Sequence, residues 1–381
     1  DVYFLESTRP TLPPALSLLI LVAIPVNNDY NGKKTNFKEA GEFIMRKEAS
    51  LDLWQQLYDV TQNLRALEPW NYFWDSDIVA IELAEGEEPV FCSIMGRGGV
   101  CCGISVYEGF RGLEDFDMLA TSDKDGFSPE YAMSDQNCLT CYFGDREEVS
   151  REQKEIIKNL GLKFRGRGNW IYFESFKKRY SPYLPDEREV KVLVETFENL
   201  FMSVRAVRED RIHINWDNGE IMYRRYNKER EEWNTFAVPR PITKRKYPEY
   251  KLSDEIQKAR LRKKPKINCE LSMDFVYMNA AIRDEAYDRP VNTLLLVIMD
   301  EISDYIIHME LIKPEEDLAE KALQFFCAFT DQNGRAKAVR YRNPWIAAAL
   351  KETCRYCGIK LTKSSLRTMD KMLQMMREQM R

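Results

Sequence analysis

The chain is 381 residues long, carries a formal net charge of −5, and is 31% charged and 44% hydrophobic. That length excludes a single small domain and leaves room for two or three cores, and the mild acidity excludes whole-chain basicity as a signal for nucleic acid or an anionic membrane. Nine cysteines without the spacing of a small disulfide framework point to a soluble protein in a reducing, cytoplasmic setting.

The first feature in chain order is the apolar run Ala15–Val26. Its twelve residues fall short of the about 20 that a membrane-spanning helix needs. No Lys or Arg cluster precedes it and no small-residue cleavage site follows, as a signal peptide would require. Helical periodicity begins only after Met45, and Gly41-Glu42 stand where a ribosome-binding sequence would be encoded. Residues 1–44 are therefore expected to be an upstream or disordered segment, with Met45 as the start and no membrane association.

An amphipathic helix follows over Leu51–Leu67, with Leu53, Trp54, Leu57, Tyr58, Val60 and Leu64 on one side and Glu68-Pro69 ending it. Strands are predicted at Ile78–Leu83, Val90–Ile94 and Val100–Tyr107, separated by Gly- and Pro-containing turns. Next come a helix at Leu113–Leu119, a strand at Leu139–Phe143 and a helix at Arg151–Leu160 that Gly161 caps. Trp170–Phe176 reads as extended, and Pro185-Asp186 opens a long helix, Asp186–Val204. Arg211–Trp216 and Glu220–Tyr226 alternate across Asp217-Asn218-Gly219, the pattern of a hairpin. Together these elements make an α+β domain over residues 45–239. Residues 240–266 hold eleven Lys or Arg against three acids and read as an exposed basic linker containing a short helix, Asp254–Arg262.

Residues 267–381 open with a three-strand meander, Asn268–Ala281, Thr293–Met299 and Tyr305–Ile312. A helix from Pro314 to about Thr330, a strand Ala336–Tyr341, a helix to Cys357, a strand Ile359–Leu361 and a final helix capped by Ser364 or Ser365 complete it. Meander followed by alternating helix and strand implies a mixed sheet with crossover helices. This order resembles that of ribonuclease H-like folds, so the expected C-terminal architecture is an α/β domain of that kind. The resemblance implies metal-dependent phosphoryl transfer by carboxylates on the first strand, the first helix, the end of the fourth strand and the last helix. Asp274 or Glu270 fits the first place, Glu320 or Glu316 the second and Asp370 the last, so a nuclease would use Asp274, Glu320 and Asp370. The fourth-strand place holds Arg340-Tyr341-Arg342, which would repel a divalent cation. The domain is accordingly read as degenerate and non-catalytic. A divergent metal-dependent nuclease is the alternative, and only that alternative calls for a cofactor, a divalent metal.

Other constellations carry less chemistry. Cys138/Cys141 and Cys354/Cys357 have CxxC spacing, but strand alternation sends the first pair to opposite faces, and inert buried thiols are expected. His213 and His308 each stand alone on a predicted strand. Gly96, Gly98 and Gly99 join strand to strand and read as a turn, not a phosphate loop. Aromatic and basic residues interleave around Trp170-Ile171-Tyr172-Phe173, making Arg165, Arg167, Trp170, Lys177, Lys178 and Arg179 the candidate binding residues for single-stranded nucleic acid. The competing reading is a set of aromatic core anchors with solvated cations beside them.

Leu67-Glu68-Pro69-Trp70, Trp74-Asp75-Ser76-Asp77 and the segment Gly161–Trp170 (GLKFRGRGNW) resemble an uncharacterised bacterial family that joins two domains of unknown function. Val106-Tyr107, Gly109, Gly112-Leu113, Phe143 and Asp145-Arg146 carry the same likeness, which covers most of residues 45–381. The chain departs from that pattern at Ile171 and Lys178. The resemblance transfers no activity. The resulting expectation is a cytoplasmic, non-catalytic binding or adaptor protein whose partner is either a protein or a nucleic acid.

Overall fold

A computed structural model describes residues 46–379; the apolar run Ala15–Val26 and the Met45 start fall outside them. The chain divides into two units, one comprising Met45–Ala120 and Ser134–Arg245, the other Thr121–Met133 and Lys246–Arg381.

In the first unit α1 (Leu51–Arg65) starts where the Ser50 hydroxyl accepts the Leu53 N–H at 3.2 Å, satisfying one of the donors a helix leaves free at its first turn. Strands β1 (Val79–Glu82), β2 (Val90–Met95) and β3 (Cys102–Glu108) run antiparallel to one another and lead into α2 (Gly109–Ala120). The chain then forms two short helices, α3 (Ser122–Asp125) and α4 (Pro129–Ser134), before β4 (Cys138–Gly144), α5 (Arg151–Asn159) and β5 (Trp170–Phe176). The long α6 (Glu187–Arg208) opens on a capping box: the Asp186 carboxylate accepts the Glu189 N–H, and the Glu189 carboxylate accepts the Asp186 N–H, both at 2.9 Å. A hairpin of β6 (Glu220–Asn227) and β7 (Glu232–Pro239) closes the unit.

The seven strands lie in the order β5-β4-β3-β2-β1-β6-β7, with β1 and β6 parallel and the rest antiparallel. Period-two alternation decides what each face buries. Val79, Ile81, Cys92, Ile94, Ile104 and Cys141 join Trp54, Leu57 and Tyr58 of α1 and Leu193, Phe197 and Leu200 of α6 in the main core. Ile78, Ala80, Phe91, Tyr107 and Cys138 face the other way, against Leu113 and Phe116 of α2. Cys138 and Cys141 thus fall on opposite faces, as strand alternation requires.

One expectation for the first unit needs correction. Arg211–Trp216 is not a strand. Gly219 does take the left-handed conformation (φ 78°), but it ends a 3-10 turn over Trp216–Asn218, and β6 then pairs with β7 and, in parallel, with β1. His213 therefore lies outside the sheet, while His308 does sit on a strand. Residues 240–266 are mostly exposed or half-buried and contain the short helix, and they also make specific contacts. In the first unit Arg240 and Thr243 bind the Asp117 carboxylate, and Arg245 binds Asp115 and, at 2.9 Å, Asp135. In the second unit Lys258 pairs with Glu352 at 3.0 Å, and Arg260 and Lys264 pair with Asp331. The Tyr250 N–H donates to the Ala348 carbonyl, and the Tyr247 ring meets Trp345 edge-on.

The second unit contains α7 (Glu255–Lys263), the meander β8 (Glu270–Ile282), β9 (Val291–Asp300) and β10 (Tyr305–Ile312), then α8 (Leu318–Asn333), β11 (Ala338–Tyr341), α9 (Pro344–Cys357), β12 (Lys360–Lys363) and α10 (Arg367–Gln379). Its five-stranded sheet has the order β10-β9-β8-β11-β12; the meander is antiparallel, and β8, β11 and β12 are parallel. The helix expected from Pro314 begins instead at Leu318, where the Asp317 carboxylate caps the Glu320 N–H. Met369 and Leu373 of α10, with Leu366 just ahead of it, pack over Val276, Val297 and Met299 of the sheet. Each of these large side chains contributes about 1.5–3 kcal/mol by leaving water. Both sheets are mixed, and the whole is a mixed α/β protein. Among the described residues no helix is long and apolar enough to cross a membrane.

Candidate functional site

Parallel register places Tyr341 of β11 beside Met273 of β8, so the next residue along each strand, Arg342 and Asp274, come together. The even-numbered residues of β8 face α10, which brings Asp370 over the same point from its first turn. Arg342 Nη2 and Nε lie 2.6 and 2.9 Å from one Asp274 carboxylate oxygen. Nη2 and Nη1 lie 2.8 and 3.0 Å from the two oxygens of Asp370. The guanidinium plane is thus shared between two carboxylates, each held by two N–H donors.

Burial makes this arrangement consequential. Asp274 is 2% exposed and Arg342 8%. Burial pushes the Asp274 carboxyl above the usual carboxylate range, with Arg342 opposing the shift. Burial alone would lower the Arg342 pKa, but the two carboxylates outweigh it and push it up, so the guanidinium remains charged. Arg340, two residues earlier on the same face, pairs with Glu270 at 2.7 Å, and Ser272 between them donates to Glu301. Two acids of β8, Glu270 and Asp274, are therefore each matched by an arginine, Arg340 on β11 and Arg342 just past its end.

Of the three residues named for a nuclease, the fold brings Asp274 and Asp370 together and joins them through Arg342. Glu320 does not complete a triad with them; it is exposed at the first turn of α8 and accepts from Gln324 at 3.0 Å. Among the described residues no group of three or more His, Cys, Asp or Glu is placed to hold a metal ion. All nine cysteines are free and, where not fully buried, half-buried. Burial pushes the thiols of Cys138 and Cys327 up to about 12 and that of Cys101 up to about 11.

The candidate binding residues of the first unit separate into two groups. Arg165, Arg167 and Trp170 precede or open β5, and Lys177, Lys178 and Arg179 follow its end. At about 3.3 Å per residue the two groups stand roughly 20 Å apart along the strand. Arg165 and Arg167 are exposed, whereas Trp170 is half-buried between Phe164 and the Arg146 guanidinium. Lys177 lies 5.5 Å over the Tyr180 ring, and Lys178 is neutralised by the buried Asp115 at 2.7 Å. Arg179 takes a left-handed backbone, φ 72°. No continuous stacking platform results.

Sequence reading passed over an apolar groove on the second face of the same sheet. Phe91, Phe110, Tyr223, Phe236 and Val238 line about 300 Å³, with Arg225 at the rim. Its signal was present in the alternation of β6 and β7, but the misplaced hairpin partner concealed which residues share that face.

Residues 54–224 match the family model described as Domain of unknown function (DUF7309), and residues 257–377 match that described as Domain of unknown function (DUF6930). No curated protein and no solved structure matches the chain. The two matches support a two-domain family of unknown function.

Proposed function

We propose that the C-terminal unit is a ribonuclease H-like scaffold that has no nuclease activity, and that the protein is a cytoplasmic binding or adaptor protein. Support for the scaffold comes from strand order: numbered within the unit, the sheet reads 3-2-1-4-5, with an antiparallel meander and parallel fourth and fifth strands. One observation carries the functional reading: the Arg342 guanidinium occupies the space between Asp274 and Asp370. Two-metal catalysis requires cations about 4 Å apart bridged by carboxylate oxygens. A fixed positive charge on those oxygens takes up their lone pairs and repels the incoming ion. Free thiols throughout the described residues accord with a reducing compartment.

Binding is favoured over catalysis in the first unit as well, where an apolar groove is lined by Phe91 and Phe110. Separation of the two basic groups along β5 favours a protein partner over nucleic acid. The test supplies Mn²⁺ with single- and double-stranded DNA and RNA to the full chain. The expected result is no cleavage above that of the Asp274→Asn variant and no salt-sensitive binding. Cleavage that Asp274→Asn abolishes would overturn the non-catalytic reading; tight, salt-sensitive binding without cleavage would replace the protein partner with nucleic acid.

A further inference from the structure

Unprotected sheet edges pair with other strands unless short length, lysines, proline or a covering segment prevents it. Three of the four described sheet edges carry such a device. β12 is four residues long with exposed Lys360 and Lys363 at its ends. β5 is bridged at Ser175 by Tyr183, through backbone hydrogen bonds of 2.7 and 3.1 Å. β7 ends on Pro239 and leaves none of its large apolar side chains exposed. β10 differs. It is eight residues long, contains no proline or lysine, and exposes Tyr305 (72%) and Leu311 (47%), with Ile302 (48%) just ahead of it.

We propose that the free edge of β10 is a self-association interface, at which a second copy of the chain adds its own β10 antiparallel and continues the sheet across a two-fold axis. A strand can pair with itself in this way only if its sequence complements its own reverse, since the interface is isologous. β10 meets that condition about Met309. Pairing centred there sets Met309 against its own copy and His308 of one copy opposite Glu310 of the other, the latter twice over. The Met309 pair lies on the face where Met309 packs under α10. The polar pair lies on the face where Lys321 already binds Glu310 at 2.8 Å and the His308 ring sits 4.6 Å from that of Phe325. Ile307 is the bulged residue, without a partner on β9, so the regular pairing spans residues 308–310 and leaves Tyr305 and Leu311 as flanking apolar contacts. The closed symmetry and the matched polar pair select a second copy over an unrelated strand. One strand pair is a small interface, so association depends on concentration.

This inference rests on the sheet edge alone and stands apart from the non-catalytic reading. The test measures the mass of the full chain by light scattering over a dilution series, with wild type, Leu311→Lys and Met309→Cys. The expected result is a wild-type mass that doubles as concentration rises, and a Leu311→Lys protein that stays monomeric with an unchanged melting temperature. Opposed residues in an antiparallel pair lie about 4.5–5.5 Å apart at Cα, within disulfide reach. Mild oxidation is therefore expected to cross-link Met309→Cys into a dimer. It is not expected to link Leu311→Cys, whose copies would stand roughly 13 Å apart along the strands. A wild type that stays monomeric, a dimer that survives Leu311→Lys, or the absence of the Met309→Cys link overturns the proposal.

Discussion

Arg342 carries a full charge into a place almost closed to water, and two carboxylates make that tolerable. Removing one partner of such a buried pair costs about 3–5 kcal/mol, because an uncompensated charge is left behind. Arg342→Met is expected to lose stability on that scale in denaturant unfolding, since Asp274 would keep its burial and lose its cation. Adding Asp274→Leu to Arg342→Met is expected to recover most of the loss, because apolar replacement of a buried pair is often neutral or stabilising. Glu310 gives a pH-dependent counterpart. The His308 hydrogen bond and Lys321 hold its carboxyl below the usual glutamate range, against the opposing effect of burial. A depressed folded-state pKa contributes stability that is present above the unfolded value and lost as pH falls through the folded one. Glu310→Gln is therefore expected to flatten the acid side of the stability curve below about pH 4.5, measured by urea unfolding across pH. At this scale the sequence showed the right actors separately. Arg342 stood out as a cation in an acid's place, and Asp274 and Asp370 as candidate acids. Only strand register and the docking of α10, set by packing across sequence separations of 68 and 28, show that the three are one cluster.

At the scale of elements, local signals were legible where local physics decides the structure. The Asp186 start of α6 is such a case, and Asp186→Ala is expected to lower stability by about 1 kcal/mol through loss of the cap, seen as a lower melting temperature. The Gly161 and Gly358 helix ends are read as easily, since both take the left-handed conformation that glycine adopts without strain. The hairpin failed for an instructive reason. Asp217-Asn218-Gly219 is a real turn, but Arg211, His213 and Asn215 flank only Ile212 and Ile214, too little to hold a strand on the sheet. Glu232–Pro239 instead supplies Trp233, Phe236 and Val238 and takes the place beside β6. The basic segment is a different case. Composition reported its charge, but the acids that neutralise it, Asp115, Asp117, Asp135, Asp331 and Glu352, come from elsewhere in the chain.

For the whole molecule, two units and the mixed sheet of the second follow from two runs of strands separated by a change in composition, and that much was readable; the parallel pairing of β1 with β6 was not. The excursion Thr121–Met133, which belongs with the C-terminal residues, was not, because nothing local marks a segment whose partners lie more than a hundred residues away. The central claim concerns what the paired acids of the C-terminal sheet can hold. Electron paramagnetic resonance titration of the full chain with Mn²⁺ tests it most directly. The account predicts free Mn²⁺ at every ratio, in wild type as in a folded Asp274→Asn variant. A stoichiometric bound signal in wild type that disappears in Asp274→Asn would contradict it.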